Sequence, residues 1–375
     1  MAFTTIDDPS KYFQIALWTG DNADTRNITN DGNSDLQPDW VWIKSRSNDG
    51  NGFDHTVWDT SRGVSSSINT SLSTSQDDVE GLGENVTTTA QLGGVSAMLS
   101  DGFTVKEGTS ADDARYVNEN TRTYVGWQWK ANGGTRTTNT ESGNNPGGGY
   151  QVNTTAGFSI VDYTGTGSAG TMAHGLGVVP HTIWVQNRDE GEDWAVYHKR
   201  ASSAGNDSYL RLNTNDGAAT AGTVWNDTSP TSTVFTIGSN NKTNKDGVKY
   251  IAYCFAPIKG YSKFGFYKGN GNDDGTFVNT GFKPAWLMIK RTTANQWGIY
   301  DSVRSPHNEI TANLDADSNS AENTATNYDD LDFLSNGFKL YEENDDINAD
   351  GGSYVYFAFA EFPFVSSKGI PATAR

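Results

Sequence analysis

The sequence predicts an all-β protein made of three tandem, homologous antiparallel β-sandwich domains. Two strand motifs, each written three times at matched distances, carry that prediction. The first is a proline followed by an apolar, ring-bearing run. It reads Pro38-Asp39-Trp40-Val41-Trp42-Ile43-Lys44, then Pro180-His181-Thr182-Ile183-Trp184-Val185-Gln186, then Pro284-Ala285-Trp286-Leu287-Met288-Ile289-Lys290. Its β-branched and aromatic content at this length predicts a buried strand rather than a helix. Proline suits the mouth of a strand, where no ladder hydrogen bond has to be donated.

The second motif is headed by tyrosine: Tyr124-Val125-Gly126-Trp127-Gln128-Trp129, Tyr250-Ile251-Ala252-Tyr253-Cys254-Phe255 and Tyr354-Val355-Tyr356-Phe357-Ala358-Phe359. Side chains alternate across a strand, so one face carries Trp127 and Trp129, Tyr253 and Phe255, or Phe357 and Phe359, and the other face is smaller. Parity is kept in all three copies, because a one-residue slip would turn the core face outward. Pro180 to Tyr250 and Pro284 to Tyr354 are equal in length, and Pro38 to Tyr124 is longer. A period on the order of 100 residues suits a whole domain rather than a solenoid unit.

Taken in order, residues 1–10 form a short N-terminal arm and 11–130 the first sandwich, with an insertion at about 71–97 that includes Gly81-Leu82-Gly83 and Gly93-Gly94. Residues 131–152 are rich in Gly, Asn and Thr and predict a flexible linker. The second sandwich spans 153–258, the third 259–364, and a small polar tail 365–375 follows. The second and third meet with almost no linker at Pro257-Ile258-Lys259-Gly260, which predicts a rigid pair. Each unit opens on a strand that ends aromatic-x-Gly, at Trp18-Thr19-Gly20, Tyr163-Thr164-Gly165 and Tyr267-Lys268-Gly269. Each later carries a shorter strand: Thr56-Val57-Trp58-Asp59, Trp194-Ala195-Val196-Tyr197-His198 and Trp297-Gly298-Ile299-Tyr300-Asp301. A Phe-centred strand comes next, as in Gly102-Phe103-Thr104 and Gly337-Phe338-Lys339. No run of helical period is sustained over ten residues.

The 375 residues suffice for two or three cores of ordinary size. Only 35% are hydrophobic, yet 12% are aromatic, with 11 Trp, 16 Tyr and 17 Phe. Apolar surface is thus concentrated in a few large rings. A net charge of −18 argues against a nucleic-acid partner, which needs clustered Lys and Arg. No run suits membrane insertion, and the first eight residues lack a signal-peptide pattern. The lone Cys254 excludes an internal disulfide framework and reads as a small buried hydrophobe.

Chemistry-bearing residues are scattered. His55, His174, His181, His198 and His307 have no spacing suited to a shared metal. Asp59 and Asp301 occupy equivalent positions, but the second copy has His198 there, so no recurring carboxylate pair of the glycosidase type emerges. Acidic loops holding Asp273 and Asp274, and Asp345, Asp346 and Asp350, offer oxygen ligands of the kind Ca²⁺ takes, outside the EF-hand register. They are the candidate metal residues, with no other cofactor expected.

As a set, the opening aromatic-x-Gly strand, the proline strand, Trp297-Gly298-Ile299-Tyr300-Asp301-Ser302, Ser335-Asn336-Gly337-Phe338 and Tyr354 to Glu361 resemble repeats in virion proteins of tailed bacteriophages, marine ones especially. The resemblance runs from about residue 3 to the C-terminus and implies lectin-like β-sandwiches of jelly-roll or concanavalin type. It implies a non-enzymatic virion structural protein, made in the host cytoplasm and carried on the particle. The leading expectation is a tail fibre or adhesin that binds a host surface glycan. The alternatives are a capsid decoration or head-fibre protein of purely architectural role, and a polysaccharide-degrading tailspike. Expected partners are other phage virion proteins and further copies of the chain, a homo-oligomer with a trimer favoured.

Overall fold

The computed structural model describes residues 3–47, 52–64, 70–81, 93–107, 116–201, 206–325 and 330–372. Residues 82–92 of the first insertion, Leu82 and Gly83 among them, lie outside that set.

The first unit holds β1 (Phe13–Thr19), β2 (Thr25–Ile28), β3 (Trp40–Ser45), β4 (Thr56–Asp59), β5 (Leu72–Ser73), β6 (Gly94–Met98), β7 (Phe103–Lys106) and β8 (Thr123–Trp129). Next come β9 (Thr137–Asn139) and β10 (Gly148–Asn153). The second unit holds β11 (Phe158–Thr164), β12 (Gly170–Ala173), β13 (Thr182–Asn187), β14 (Ala195–His198), β15 (Ser208–Arg211), β16 (Ala219–Thr220), β17 (Val234–Ile237) and β18 (Lys249–Phe255). The third holds β19 (Ser262–Lys268), β20 (Phe277–Asn279), β21 (Phe282–Arg291), β22 (Trp297–Asp301), β23 (Leu314–Asp315), β24 (Leu331–Leu334), β25 (Gly337–Leu340) and β26 (Ser353–Pro363).

One strand order recurs in the three large sheets: β1-β8-β3-β4-β5, β11-β18-β13-β14-β15 and β19-β26-β21-β22-β23. All their pairings are antiparallel. Each tyrosine-headed strand sits between the opening strand and the proline strand, as its two apolar faces require. A smaller sheet covers each large one: β2-β7-β6, β12-β17 and β20-β25-β24.

The two faces of the large sheets do different work. The small-residue face packs on the unit's own small sheet. Ala252 and Cys254 meet Met172, Phe235 and Ile237 in the second unit, and Tyr356 and Ala358 meet Phe338 and Leu340 in the third. Cys254 is fully buried there, and burial pushes its thiol up. The ring-bearing face, expected as the private core of each sandwich, instead points to the centre of the molecule. Trp127, Trp129, Tyr253, Phe255, Phe357 and Phe359 all belong to one shared core. Trp42 meets Trp184 edge-on at 6.0 Å, Trp129 meets Trp286 at 5.7 Å, and Trp40 stacks on Tyr253 at 4.5 Å. Rings of this size stabilise by about 3–5 kcal/mol each when fully buried. A single thin sandwich could not have enclosed so many on one face.

The three units close a ring, each gripping the next through equivalent atoms. Glu80 N donates to Arg188 O (2.9 Å), Ala218 N to Thr292 O (2.8 Å) and Glu322 N to Arg46 O (3.2 Å). Trp194 Nε1 donates to Ser73 O (2.7 Å) and Trp297 Nε1 to Arg211 O (2.8 Å). The terminal residues of β4, β14 and β22 each reach the middle ring of a neighbour. Tyr253 Oη donates to Asp59 Oδ2 (2.7 Å), His198 lies edge-on to Phe357 (5.1 Å), and Trp127 Nε1 donates to Asp301 Oδ2 (3.0 Å). The contacts between the second and third units thus have counterparts at the other two seams.

The span 131–152, expected as a flexible linker, is built into the fold. Asp39 accepts hydrogen bonds from Ala131 N, Gly133 N and Gly134 N at 2.7–3.0 Å, and β10 and β9 extend the second unit's sheet. Chain ends also meet: Ile6 joins the shared core, and Ser367 N donates to Asp7 Oδ1 (2.6 Å).

The seam between the first and second units and that between the third and first are sealed by buried ions. Asp59 pairs with Arg62 and Asp301 with Arg304, each at 2.5 Å with both side chains fully buried. Glu80 joins Arg62 to Arg188 across one seam, and Glu322 joins Arg304 to Arg46 across the other. The second unit replaces Asp, Arg and Glu together, by His198, Ala201 and Ala218. Losing a whole network is cheap where losing one buried partner is not. Arg304→Ala should therefore cost about 3–5 kcal/mol, and adding Asp301→His should recover more than half of it, as read by urea unfolding of the two variants. His198 is fully buried, which lowers its imidazole pKa to about 3 from 6.5. The unfolded chain then binds a proton the folded one refuses. Its stability is complete above the unfolded value and falls as pH drops, so His198→Phe should remove a slope of about 1.4 kcal/mol per pH unit below that point.

Candidate functional site: the open seam between the second and third units

Where the ion network is missing, the second and third units still meet, Ala218 N donating to Thr292 O and Lys290 Nζ to Asn215 O, but the seam beside these bonds holds two cavities. Ala201 and Ala218 of the second unit and Thr292 and Ser353 of the third line one cavity of about 420 Å³. Arg200 and Phe266 carry its lining into a second cavity of about 600 Å³. That second cavity lies between the end of β14 and the strands β19 and β20, lined by His181, Lys199, Lys263, Phe277 and Asn279 among others.

The lining chemistry is opposite to that of the whole chain. His181, Lys199, Arg200, Lys263 and Lys268 face the seam, and no Asp or Glu among the described residues lines either cavity. Lys199, Arg200 and Lys268 are exposed. Lys263 Nζ donates to the Asn279 carbonyl (2.7 Å), and burial lowers its pKa. Burial also lowers His181, helped by the neighbouring Lys199 and Arg200 cations. Phe266 is 43% and Phe277 45% exposed, against full burial of most rings in the molecule. Such large apolar groups, ringed by unpaired cations, suit a partner that is both anionic and partly apolar.

The opening strands, β19 among them, are anchored at their ends in the same way in all three units. Each opening strand ends on an aromatic that donates to a carbonyl in the loop before the tyrosine strand: Trp18 to Val117 (2.8 Å), Tyr163 to Thr243 (2.6 Å) and Tyr267 to Ile347 (2.6 Å). Two residues on, glycine is required. A Cβ at Gly20, Gly165 or Gly269 would come within 2.0–2.3 Å of the Glu119, Lys245 or Ala349 carbonyl oxygen. The heading tyrosines accept from those same three residues, Glu119 N, Lys245 N and Ala349 N, at 2.8–2.9 Å.

The Ca²⁺ candidates lie on two neighbouring loops, and two of them, Asp274 and Asp345, are paired with cations. The loops 270–275 and 342–350 are joined by the buried amide of Asn348, which bonds Asn270 Oδ1, Asn272 O and Glu342 O at 2.8–3.0 Å. Asn118 and Asn244 do the same in the first two units. Asp274 pairs with Lys339 (2.5 Å), which holds its carboxyl below the usual range, and Asp345 pairs with Arg291 (3.0 Å). Asp273 is exposed, and Asp350 lies against Gly271. Among the described residues no three His, Cys, Asp or Glu side chains gather as a metal set. Asp59 and Asp301, weighed as carboxylates for catalysis, sit in different seams, each held by its own arginine.

The repeated asparagine, six residues before each heading tyrosine, was open to view in the sequence, as was the Lys199-Arg200 pair. What marks that pair is its place at the one seam without Asp, Arg and Glu. No helix of the described residues is long and apolar enough to cross a membrane.

One family model, described as a domain of unknown function (DUF7483), matches residues 8–363. The chain belongs to the DUF7483 family. Its match begins at the N-cap of the first short 3₁₀ turn and ends with β26, so the DUF7483 domain comprises all three units at once. No curated protein and no solved structure matches the chain. Because Asn348 fills the place between the acidic loops, Asn348→Ala should cost about 1–3 kcal/mol. Addition of Ca²⁺ or of a chelator should leave the melting temperature of the parent protein unchanged.

Proposed function

We propose that this protein is a non-enzymatic structural component of a tailed-bacteriophage particle, working by docking to a neighbouring virion protein through its open seam. The observation that carries this reading over the glycan-binding adhesin is the fate of the aromatic side chains. All 11 tryptophans are buried, and no tyrosine among the described residues is exposed. Sugar recognition by stacking would need such rings at a loop end. Of the exposed phenylalanines, Phe266 and Phe277 are set among cations at this seam, a surface suited to a polypeptide. The three units of one chain share a core, so a single copy offers a three-lobed block for such docking.

Catalysis is not part of the proposal, because Asp59 and Asp301 are spent on buried arginines. On a glycan array the full-length protein should give no saturable ligand. Antibody against it should mark intact particles in a regular lattice. A specific neutral glycan, or labelling confined to fibre tips, would contradict the architectural role and restore the adhesin.

A further inference from the structure

The three seams share one plan, and the molecule itself shows what can lie in one of them. In the second unit the outer edge of β11 is taken by β10, paired antiparallel with Tyr150 opposite Val161 and Gln151 opposite Ile160. Tyr150 and Val152 pack on that unit's own core. Gln151, on the other face, crosses the seam and donates to Thr60 Oγ1 (2.6 Å) and Ser61 Oγ (2.8 Å) of the first unit. At the seam of the third and first units the edge of β1 is covered differently: Gln14 bonds Gly32 N and Ser34 O, drawing the loop across it.

In the third unit β19 holds the place of β11. It pairs with β26 along its length, and no strand of the described residues pairs with its outer edge. The turn that corresponds to Thr60-Ser61 is Lys199-Arg200. The same groove is therefore present, with two cations where the first seam has two hydroxyls. Phe266 and Phe277 stand open beside it. Edge strands are commonly blunted by lysine, which accounts for Lys263 and Lys268 by themselves. It does not account for the exposed phenylalanines, nor for Lys199 and Arg200, which lie across the seam from the edge. Addition of a strand to an exposed edge is a general mode of peptide capture, with main-chain bonds supplying affinity and alternate side chains specificity.

We propose that the outer edge of β19 accepts an extended acidic polypeptide segment as an added antiparallel strand, its carboxylates turned across the seam to Lys199 and Arg200. The inference rests on the reading of this seam as a docking site and names the chemistry of the partner. Alternate residues of the incoming strand share a face, so acids two apart should be recognised and acids at adjacent positions should not.

The probe is a labelled peptide of residues 147–154 of this chain carrying Gln151→Glu and Asn153→Glu, titrated against the full-length protein by fluorescence anisotropy. Hydrogen exchange of the β19 amides is followed in parallel. Saturable binding with new protection along Ser262–Lys268 is expected. Charge reversal at the exposed pair, Lys199→Glu with Arg200→Glu, should weaken binding by roughly tenfold or more, with an unchanged melting temperature. Loss of affinity on N-methylation of alternate peptide amides would also support the strand. Undiminished binding of the methylated peptide would overturn it. Polygalacturonate that binds where the peptide does not would overturn the polypeptide inference and leave the seam as a docking site. Binding of neither probe at millimolar concentration would overturn the docking reading as well.

Discussion

Three sheets that each carry their large rings on one face have only one another to bury them against. That constraint organises the molecule. Trp40, Trp42, Trp127, Trp184 and Trp286 are effectively withdrawn from solvent, and each touches rings contributed by a neighbouring unit. The small sheets are left with the small-residue faces, which is why Gly126, Ala252 and Ala358 stand where large side chains would have pushed the sandwich layers apart. A chain with so modest an apolar content closes four cores because one of them is shared by all units.

Ring closure makes the seams comparable with one another, and their differences are then informative. Where Asp, Arg and Glu are all kept, each buried arginine has its carboxylates and the ions tie the two units together. Where all three are replaced, no buried arginine or carboxylate of the network is left without its partner, and the seam keeps its backbone bonds but leaves a cleft beside them. Buried charges in the closed seams add little net stability over apolar packing, but they penalise any register in which a partner is missing. This asymmetry turns a nearly symmetric body into one with a single cationic, ring-edged face.

Much of this is legible in the sequence. Strand identity, parity and the equivalence of Trp127, Tyr253 and Phe357 follow from alternation alone. What alternation cannot tell is whether a ring face looks at its own sandwich or at another, since both bury it equally. The span 131–152 reads as linker because Gly and Asn dominate it, yet tertiary bonds from Asp39 and pairing with β11 override composition. The open seam was the least visible feature. Lys199, Arg200, Lys263 and Lys268 are distant in sequence and submerged in a charge of −18, so only the fold collects them.

The shared ring core demands that the three units unfold together. Hydrogen exchange of the intact protein across a denaturant series tests this most directly, with amides of β8, β18 and β26 followed as one reporter per unit. A common opening free energy and a common denaturant slope for all three are expected. Separate values, with one unit opening while the rings of the others stay protected, would contradict a core held in common.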